Sequence, residues 1–406
     1  DEDPELEIVA VAGTRLTAWD HEGILLWTNE EYPVSPRHPL AADFDGDGSM
    51  EMACISYGNS TVLLFDGDGS LLGSTVNTPG VTAIAAADMD SSTGIELVTA
   101  SGGTITLYEW DTDHFSQLDS KTFHYSEVPT YGAISCNDLN GDGYSETVFS
   151  SGWTGPGDPP PPSFYSLAVY DWNSQQVLSN QTWWNSSGLW IPQSAPCSGI
   201  LAETPLIGFP LQKFEVSQPN TYPAFLVTPD GSVDQCERSD TSSNNLKYGM
   251  FADWDPFTTG TDAFVLPSET QCLAWDYEGY FLPNWPVRFT DIELGSPVCP
   301  AALGNLDGSG FADVITGTVL DGNWQALAFD SDGDMLQSLG FPFIFPDGLY
   351  GLGGFAIADI DRDGNVEMVF GSSDGYLHCW ELGSCSTGYS PWPQFQHDSG
   401  RSGVLE

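Results

Sequence analysis

The feature of this sequence that most limits its fold is a segment that returns about every 50 residues. Each copy has a short apolar strand, a loop of Asp and Gly, another acidic residue and a second β-rich strand, as in HPLAADFDGDGSMEMACIS at residues 38–56. The first polar position is Asp43, Asp88, Asp138 and Asp359 in the clear copies, and Asp253 and Asn305 in two weaker ones. One interval is about twice as long and holds a degenerate copy with Glu203 and no Asp/Gly loop. This period is typical of β-propeller blades with four strands each.

Both ends of the chain fall inside a copy of the repeat. The N-terminus aligns with the later part of the acidic loop and the strand after it, and residues 402–406 align with the strand before the loop. We therefore predict an all-β fold in which residues 1–406 form a single domain, an eight-bladed β-propeller of four-stranded blades, with seven blades as the alternative. The strand from about Gly403 is predicted to pair beside residues 7–12, which would close the propeller and remove the exposed strand edges.

The Asp/Gly loops have the spacing of a calcium-binding loop. In residues 43–51 the carboxylates stand at positions one, three, five and nine, and they can converge on one hard cation that prefers about six to eight oxygen ligands. The EF-hand loop begins similarly but requires a helix on each side, whereas strands flank this loop. Magnesium is less favoured because it demands tighter octahedral geometry. The pattern therefore predicts several structural Ca2+ sites.

The residues predicted to bind Ca2+ belong to five internal copies of the repeat and to the two chain ends. They are Asp43, Asp45, Asp47, Ser49 and Glu51; Asp88, Asp90, Ser92 and Glu96; Asp138, Asn140, Asp142, Tyr144 and Glu146; Asn305, Asp307, Ser309 and Asp313; Asp359, Asp361, Asp363, Asn365 and Glu367; and Asp1, Asp3, Glu7 and Glu406. The loop after Asp253 is one residue longer and is not assigned a site. The copy at Glu203 is predicted to have lost its metal.

The net charge restricts the classes of partner. The chain has 57 acidic and 9 basic residues and a formal net charge of -48. This charge opposes binding to nucleic acid and to anionic membranes, and it destabilises a compact state unless bound cations neutralise part of it. No apolar stretch reaches the roughly 18 to 20 residues of a transmembrane helix, so no membrane insertion is predicted. The acidic N-terminus is unlike a signal peptide, so we interpret the sequence as a mature or excised fragment.

The cysteine pattern leaves two interpretations open. The chain has 8 cysteines with no CxxC pair and no histidine at zinc spacing, which makes a metal–thiolate site unlikely on the spacing alone. An even count is typical of disulfides in an oxidising compartment, and buried thiols are the other interpretation. The pair that is easiest to bridge is Cys379 with Cys385, which are close in sequence.

On these residues and loops the chain resembles the FG-GAP/VCBS repeat family, the calcium-bearing propeller repeats of integrin α-subunits and many secreted bacterial proteins. The DxDxDGxxE loop is the most specific mark. Residues 16–23 and 273–279 also resemble PQQ-type propeller repeats, and residues 391–398 resemble the closing segment of secreted bacterial propellers. The resemblance implies calcium-dependent structure and, often, adhesion or ligand binding at an extracellular location or on the cell surface.

The sequence favours binding over catalysis. Its histidines are scattered over different copies of the repeat, and it has neither a GxSxG elbow nor a Gly-rich phosphate loop. Aromatic residues in three insertions, residues 153–164, 182–192 and 341–350, can contact a sugar or a protein, or can pack over the propeller ends. The candidate ligand-binding residues are Trp183, Trp184 and Trp190.

We predict an extracellular, calcium-stabilised binding, adhesion or structural module of a secreted or surface bacterial protein, and not an enzyme. Its partners are predicted to be a protein or glycan ligand, other domains, or further copies of the same protein. The alternative is a calcium-dependent polysaccharide lyase of the rhamnogalacturonan type, because one family of such lyases resembles an eight-bladed calcium propeller. A lyase requires cationic groups or a metal ion to neutralise the substrate carboxylate, and the field of this acidic chain repels polyanions.

Overall fold

The computed structural model describes residues 5–37, 39–78, 80–92, 94–123, 131–154, 163–185, 188–192, 195–201, 204–215, 224–237, 249–254, 262–268, 270–289, 299–320, 322–345, 354–382 and 404–405. The chain divides into two compact units. The first contains Asp1–Pro156, Phe164–Trp183 and Ser399–Ser402, and the second contains Gly157–Ser163, Trp184–Asp398 and Gly403–Glu406.

The described residues of the first unit form four antiparallel sheets, numbered here as blades 1 to 4 in chain order. Blade 1 contains β1 (Ile8–Ala12), β2 (Arg15–Trp19) and β3 (Leu25–Asn29). Blade 2 contains β4 (Leu40–Ala42), β5 (Glu51–Ile55), β6 (Val62–Phe65) and β7 (Leu71–Ser74). Blade 3 contains β8 (Val81–Ala87), β9 (Glu96–Ser101), β10 (Thr104–Asp111) and β11 (His114–Thr122). Blade 4 contains β12 (Tyr131–Asn137), β13 (Glu146–Thr154), β14 (Ser163–Asp171) and β15 (Gln176–Asn185).

The second unit contains, over the part of the chain that the structure describes, blades 5 to 8 and a two-stranded sheet of β16 (Gly188–Pro192) and β19 (Leu211–Glu215). Blade 5 contains β17 (Cys197–Leu201), β18 (Thr204–Phe209), β20 (Phe225–Val227) and β21 (Val233–Gln235). Blade 6 contains β22 (Met250–Asp253), β23 (Asp262–Pro267), β24 (Gln271–Trp275) and β25 (Val287–Arg288). Blade 7 contains β26 (Cys299–Gly304), β27 (Asp313–Leu320), β28 (Asn323–Phe329) and β29 (Phe343–Ile344), with a short 3-10 helix, Gln337–Leu339, before β29. Blade 8 contains β30 (Ala356–Ala358), β31 (Glu367–Gly371) and β32 (Leu377–Glu381), and β33 (Val404–Leu405) ends the series.

Each blade is built from strands that follow one another in sequence, except that blade 5 omits β19 and its sheet also contains β33. In the four-stranded blades we call them the first to the fourth strand, so that blade 2 runs from β4 as first strand to β7 as fourth. By this order blade 1 begins with a second strand, β1, and the described part of blade 8 ends with a third strand, β32. The predicted fold class, an all-β, eight-bladed β-propeller with antiparallel four-stranded blades, is confirmed.

The apolar core lies between consecutive blades of the same unit. Leu40 and Leu64 of blade 2 pack with Leu97 of blade 3, and all three side chains are fully buried. Every residue of β5 and of β24 is buried. A strand that is covered on both faces has no polar side, which explains why these strands lack alternation in the sequence.

Turns that follow the third strands are held by tryptophans of the preceding blade. Trp27 Nε1 donates a hydrogen bond to Gly67 O (2.8 Å), and Trp285 Nε1 donates one to Ser331 O (3.0 Å). Gly69 has φ +82°, and a Cβ built there would lie 2.6 Å from the Trp27 ring. Glycine is therefore required at this turn both by its backbone conformation and by the closeness of the indole.

The predicted pairing of the chain ends is wrong in the structure. β33 pairs in parallel with β17, with Val404 opposite Ser198 and Leu405 opposite Gly199, and not with β1 of blade 1. The sheet of blade 1 has the order β1-β2-β3. The physical reason is that β17 is also an edge strand of its blade, and its unpaired backbone groups accept a short apolar segment as well as those of β1 would.

The described cysteines follow the buried-thiol interpretation. Cys197, Cys236 and Cys272 are free and buried, and burial raises the pKa of each thiol well above its ordinary value. Cys379 has a free, exposed thiol, and its suggested partner Cys385 lies outside the described residues. Buried thiols of this kind behave as small apolar side chains.

Candidate metal centres

The loop of blade 2 shows how the sequence brings carboxylates together. It connects β4 to β5, and Gly46 and Gly48 have φ +76° and +94°, which permit its tight path. The carboxylate of Asp43 accepts hydrogen bonds from Gly46 N (2.8 Å) and Gly48 N (3.1 Å). Oxygens of Asp43, Asp45 and Glu51 all lie within 4.8 Å of one another. Two ligands of one calcium ion are at most about 5 Å apart, so these three oxygens fit a shared cation.

The acid at position nine has the same environment in five loops of the described chain. It is the first residue of the second strand, and one of its carboxylate oxygens accepts a hydrogen bond from the backbone N–H at position two of its own loop. The pairs are Phe44 N to Glu51 (2.8 Å), Met89 N to Glu96 (2.8 Å), Leu139 N to Glu146 (2.8 Å), Leu306 N to Asp313 (2.7 Å) and Ile360 N to Glu367 (2.7 Å). This bond ties the loop to the sheet and fixes the direction of the carboxylate.

The position-nine acids are buried, which disfavours their charge. Burial is the largest cause that raises the pKa of Glu96 to about 7, of Glu146 to about 7 and of Asp313 to about 8, and like charges nearby add to each shift. Burial likewise raises the pKa of Glu51, which is 1% exposed, and of Glu367. A cation in the loop would supply the opposite charge that these buried carboxylates lack.

The second oxygen of each position-nine acid has a different partner from loop to loop. Glu96 Oε1 accepts a hydrogen bond from Ser92 Oγ (3.0 Å), and Glu146 Oε1 accepts one from Asn140 Nδ2 (2.6 Å). Asp313 Oδ1 is buried and has no hydrogen-bond partner in the described structure. The same is true of Asp359 Oδ1, which belongs to the acid at position one of the blade 8 loop. Unpaired buried carboxylate oxygens are costly, and a cation bound in these loops would pair both atoms.

The other predicted ligands divide into those that converge and those that point outward. Three groups of oxygens converge within 4.8 Å, those of Asp43, Asp45 and Glu51, of Asp142, Glu146 and Asp171, and of Asp359, Asp361 and Glu367. At position five, Asp47 and Asp363 accept hydrogen bonds from the backbone N–H of Ser49 and Asn365, two residues later, and are not in these groups.

In the Asp88 loop, burial is the main cause that raises the pKa of Asp88, and the charge of Asp90 adds to it.

Several predicted residues lie outside the described structure or lack described side chains. Asp1, Asp3, Glu203 and Glu406 are outside it. Glu7 is exposed just before β1. Trp183 and Trp184 are in β15 and Trp190 is in β16, but their side chains are not described. Phe341 and Phe345, in the third predicted insertion, are buried in the core of blades 7 and 8 and therefore have a packing role.

The structure adds a set of acids that the loop pattern does not contain. Glu381 of β32 lies directly opposite Glu367 of β31, and the register of other blades places further acids opposite position nine. One residue beyond the last paired residues of each hairpin, these are Asp20 opposite Glu7, Asp66 opposite Glu51, Glu109 opposite Glu96 and Asp330 opposite Asp313. In blade 4, Asp171 at the end of β14 reaches the loop itself. The only sequence signal for these residues is that third strands often end in an aromatic residue followed by an acid.

Blades 5 and 6 lack this acidic pair. The register of blade 5 places Leu206 opposite Thr228, and that of blade 6 places Ala263 opposite Asp276. Like charges directly opposite each other destabilise a sheet, and a bound cation would offset this repulsion in the blades that have the acidic pair. Blade 5 also has only two residues between β17 and β18, in agreement with the predicted loss of its metal loop.

A family model describes part of this arrangement. Residues 43–92, which contain the loop of blade 2, that blade's remaining strands and most of the next loop, match the FG-GAP-like repeat. The chain contains an FG-GAP-like repeat. The matched residues contain an Asp/Gly loop and β-strands of the kind that recur in other blades.

Solved structures share the fold at low sequence identity. The crystal structure of the V. cholerae biofilm matrix protein Bap1 matches with a TM-score of 0.51 and 13% identity, over 100% of this chain and 90% of that chain. The Dos1 propeller matches with a TM-score of 0.54 and 13% identity, over 95% of this chain and 96% of that chain. BBS1N in complex with ARL6DN matches with a TM-score of 0.50 and 9% identity, over 85% and 91%. At these identities the similarities concern the propeller fold alone.

No curated protein sequence matches this chain. Among the described residues, no helix has the length and apolar character needed to cross a membrane.

Proposed function

We propose that this protein is a calcium-stabilised propeller that serves as an extracellular binding, adhesion or structural module. The observation that carries the proposal is the repeated position-nine acid, which is buried, oriented by the same backbone hydrogen bond in five described loops, and surrounded by further acids. The three convergent groups consist of carboxylates alone. Calcium suits the site because it accepts carboxylate, amide and hydroxyl oxygens in flexible geometry.

A structural role for the ions follows from their position. Each loop joins the first and second strands of a blade, and a cation bound there would link both strands to the loop. Each Ca2+ would offset two of the negative charges in a chain whose formal net charge is -48. Binding to the folded state alone stabilises that state by mass action.

A binding module is favoured over an enzyme by the placement of reactive groups. The described histidines lie in different blades, with His21 in blade 1, His114 in blade 3 and His378 in blade 8. Two of the cationic groups that a polysaccharide lyase could use have other contacts: Arg15 pairs with Glu30 (3.2 Å), and Lys121 lies 5.2 Å from the Tyr170 ring centroid. The proposal therefore assigns no reaction to the chain.

The proposed location and partners rest on the fold and on the sequence. Bap1, which shares this fold, is a biofilm matrix protein, and an extracellular site is consistent with abundant calcium. We propose a protein or glycan partner that contacts Trp183, Trp184 and Trp190, whose aromatic rings are suited to sugars and to protein anchors. Other domains of the same protein, or further copies of it, are also proposed as protein partners.

Calcium dependence is tested by thermal unfolding of the full chain with CaCl2 and with excess chelator. Because several linked sites bind the folded state, we expect the Tm to rise with calcium concentration, by an amount that corresponds to about 2.7 kcal/mol for each site at 100 times its Kd. Asp45→Ala should reduce the calcium-dependent shift, since Asp45 converges with Asp43 and Glu51.

The matched control is Glu22→Ala, which removes an exposed acid outside the loops. It should leave the calcium-dependent shift unchanged. An identical melting curve in calcium and in chelator would refute the metal proposal. A glycan array and a screen of uronate polysaccharides for unsaturated products then separate the binding module from a lyase, since turnover would overturn the assignment of no reaction.

A further inference from the structure

The acid at the end of the third strand of blade 7 faces the buried acid of the metal loop. β27 and β28 pair with Val314 opposite Phe329, so the next residues along the two strands, Asp313 and Asp330, are also opposite. Directly opposite side chains of an antiparallel pair lie on one face of the sheet with Cβ atoms about 4.5 to 5.5 Å apart. Asp330 is therefore close enough to act on the same centre.

The second observation is an unpartnered oxygen at that centre. Asp313 is 0% exposed, and its Oδ2 accepts hydrogen bonds from Leu306 N (2.7 Å) and Asp307 N (3.3 Å). Its Oδ1 has no hydrogen-bond partner and no access to solvent. A buried carboxylate with one unpaired oxygen and acidic neighbours points to a cation at that oxygen.

In blade 4, a third-strand acid reaches the metal loop of its own blade. Asp171 ends the third strand and is 4% exposed. One of its oxygens lies within 4.8 Å of oxygens of Asp142 and Glu146, the acids at positions five and nine of that loop. The third strand thus brings a carboxylate to the loop in two blades that belong to different units.

We propose that Asp330 is a ligand of the cation held by the loop of blade 7, so that the loop, the second strand and the third strand all contribute ligands. This inference rests on the proposed calcium function. The loop itself has only two carboxylates, Asp307 and Asp313, beside Asn305 and Ser309. Asp330 adds a third negative charge, and calcium affinity depends on the number of charged ligands. In blade 4 the same role belongs to Asp171.

The geometry of Asp330 leaves an oxygen for the ion. Its Oδ1 accepts hydrogen bonds from Asp332 N (3.0 Å) and Asp334 N (2.8 Å), which stabilise the turn after β28. We assign Oδ2 to the cation. Asp330→Asn is therefore an informative variant, because the amide retains an oxygen for the turn and removes the charge.

Blade 6 offers a matched control. Asp276 also follows the third strand, and its Oδ1 accepts hydrogen bonds from Glu278 N (3.0 Å) and Tyr280 N (2.9 Å). Its opposite residue, however, is Ala263 and not an acid. Asp276→Asn thus removes the same charge from the same kind of turn without touching a position-nine acid.

The test is a calcium titration of the full chain against a chromophoric chelator, with the bound calcium counted by mass spectrometry. In Asp330→Asn we expect one site to lose affinity by about 10-fold or more, since even the loss of an outer-shell partner costs a metal site about 10- to 100-fold. Asp313→Asn should lose the same site, and Asp276→Asn should titrate as the unmodified protein does. In excess chelator, Asp330→Asn should melt no lower than Asp276→Asn, because it removes a like charge that lies opposite Asp313.

Three results would overturn the assignment of Asp330. If Asp313→Asn loses a site and Asp330→Asn titrates like Asp276→Asn, Asp330 is not a ligand and the calcium function stands. If Asp330→Asn melts well below Asp276→Asn in chelator and keeps full affinity in calcium, its role is to stabilise the turn. If the unmodified protein binds no calcium, both this inference and the proposed function fail.

Discussion

At the scale of the residue, the position-nine acids combine two opposing requirements. They are buried enough to resist ionisation, with the pKa of Glu96 raised to about 7 and that of Asp313 to about 8, mainly by burial. They must also be ionised if they are to bind a cation in the loop. A proton and a calcium ion therefore compete for the same carboxylates, and pH should alter both stability and metal affinity.

The stability of the chelated protein should fall as pH rises. A carboxyl with an ordinary pKa of about 4 when unfolded and a raised pKa when folded holds its proton longer in the folded state. The resulting stabilisation is fully present below the unfolded pKa and is lost as pH passes through the folded pKa, so the decline should extend from about pH 4 to about pH 8. The measurement is the Tm in excess chelator across this range.

Calcium should flatten this decline, because it replaces the proton as the partner of the buried acids. Glu96→Gln should reduce the slope in chelator, since the neutral amide keeps the shape of the side chain but does not titrate. A chelated Tm that is constant or rises between pH 5 and pH 8 would contradict the burial of these carboxyls.

At the scale of the element, turns after the third strands depend on glycine to different degrees. Gly69 and Gly23 occupy the same position in the turns of blades 2 and 1, with φ +82° and +78°. A Cβ at Gly69 would collide with the Trp27 ring at 2.6 Å, whereas a Cβ at Gly23 would meet no atom within 4 Å. The two glycines therefore separate the effect of backbone strain from the effect of packing.

Gly69→Ala should lower the free energy of unfolding more than Gly23→Ala does. Both variants carry the strain of a positive φ, about 1 kcal/mol or more, and only Gly69→Ala also displaces an indole that donates to Gly67 O, which adds about 1 to 3 kcal/mol. Urea unfolding in saturating calcium measures both. Equal losses would show that Trp27 moves aside freely and does not hold the turn.

The sequence predicts single elements better than it predicts which elements face each other. The Asp/Gly loop and the acid at position nine are adjacent in sequence, so their convergence could be predicted from spacing alone. The third-strand acids could not, because the hairpins differ in length: Glu7 and Asp20 are 20 − 7 = 13 residues apart, whereas Asp313 and Asp330 are 330 − 313 = 17 apart. Only the strand register shows that both pairs are opposite.

The pairing partner of β33 could not be predicted from the sequence, for a related reason. An apolar dipeptide such as Val404–Leu405 fits any free strand edge, and the repeat alignment ranks the edge of blade 1 first only because the chain ends there. Its partner in the structure is β17, the first strand of the blade that lost its metal loop. The repeat alignment shows which strand of a blade β33 resembles, but it does not show which strand β33 pairs with.

At the scale of the whole molecule, the C-terminal segment should protect the second unit and not the first. Removal of residues 403–406 should increase hydrogen exchange of the β17 amides, because Ser198 and Gly199 lose their partner strand. The amides of β1 should exchange at an unchanged rate. Mass spectrometry of the peptides that cover β17 and β1 makes the comparison within one sample, and faster exchange confined to β1 would instead restore the pairing of the two chain ends.

The cysteines give this protein a built-in set of reporters. The described chain carries buried cysteines in blades 2, 4, 5, 6 and 7, among them Cys54, Cys136 and Cys272, and an exposed one, Cys379, in blade 8. A thiol that solvent reaches only when its blade opens reacts with an alkylating dye at the rate of that opening. Timed alkylation followed by peptide mapping would therefore rank the blades by how often each one opens, and repeating it after calcium removal would show which blades loosen first.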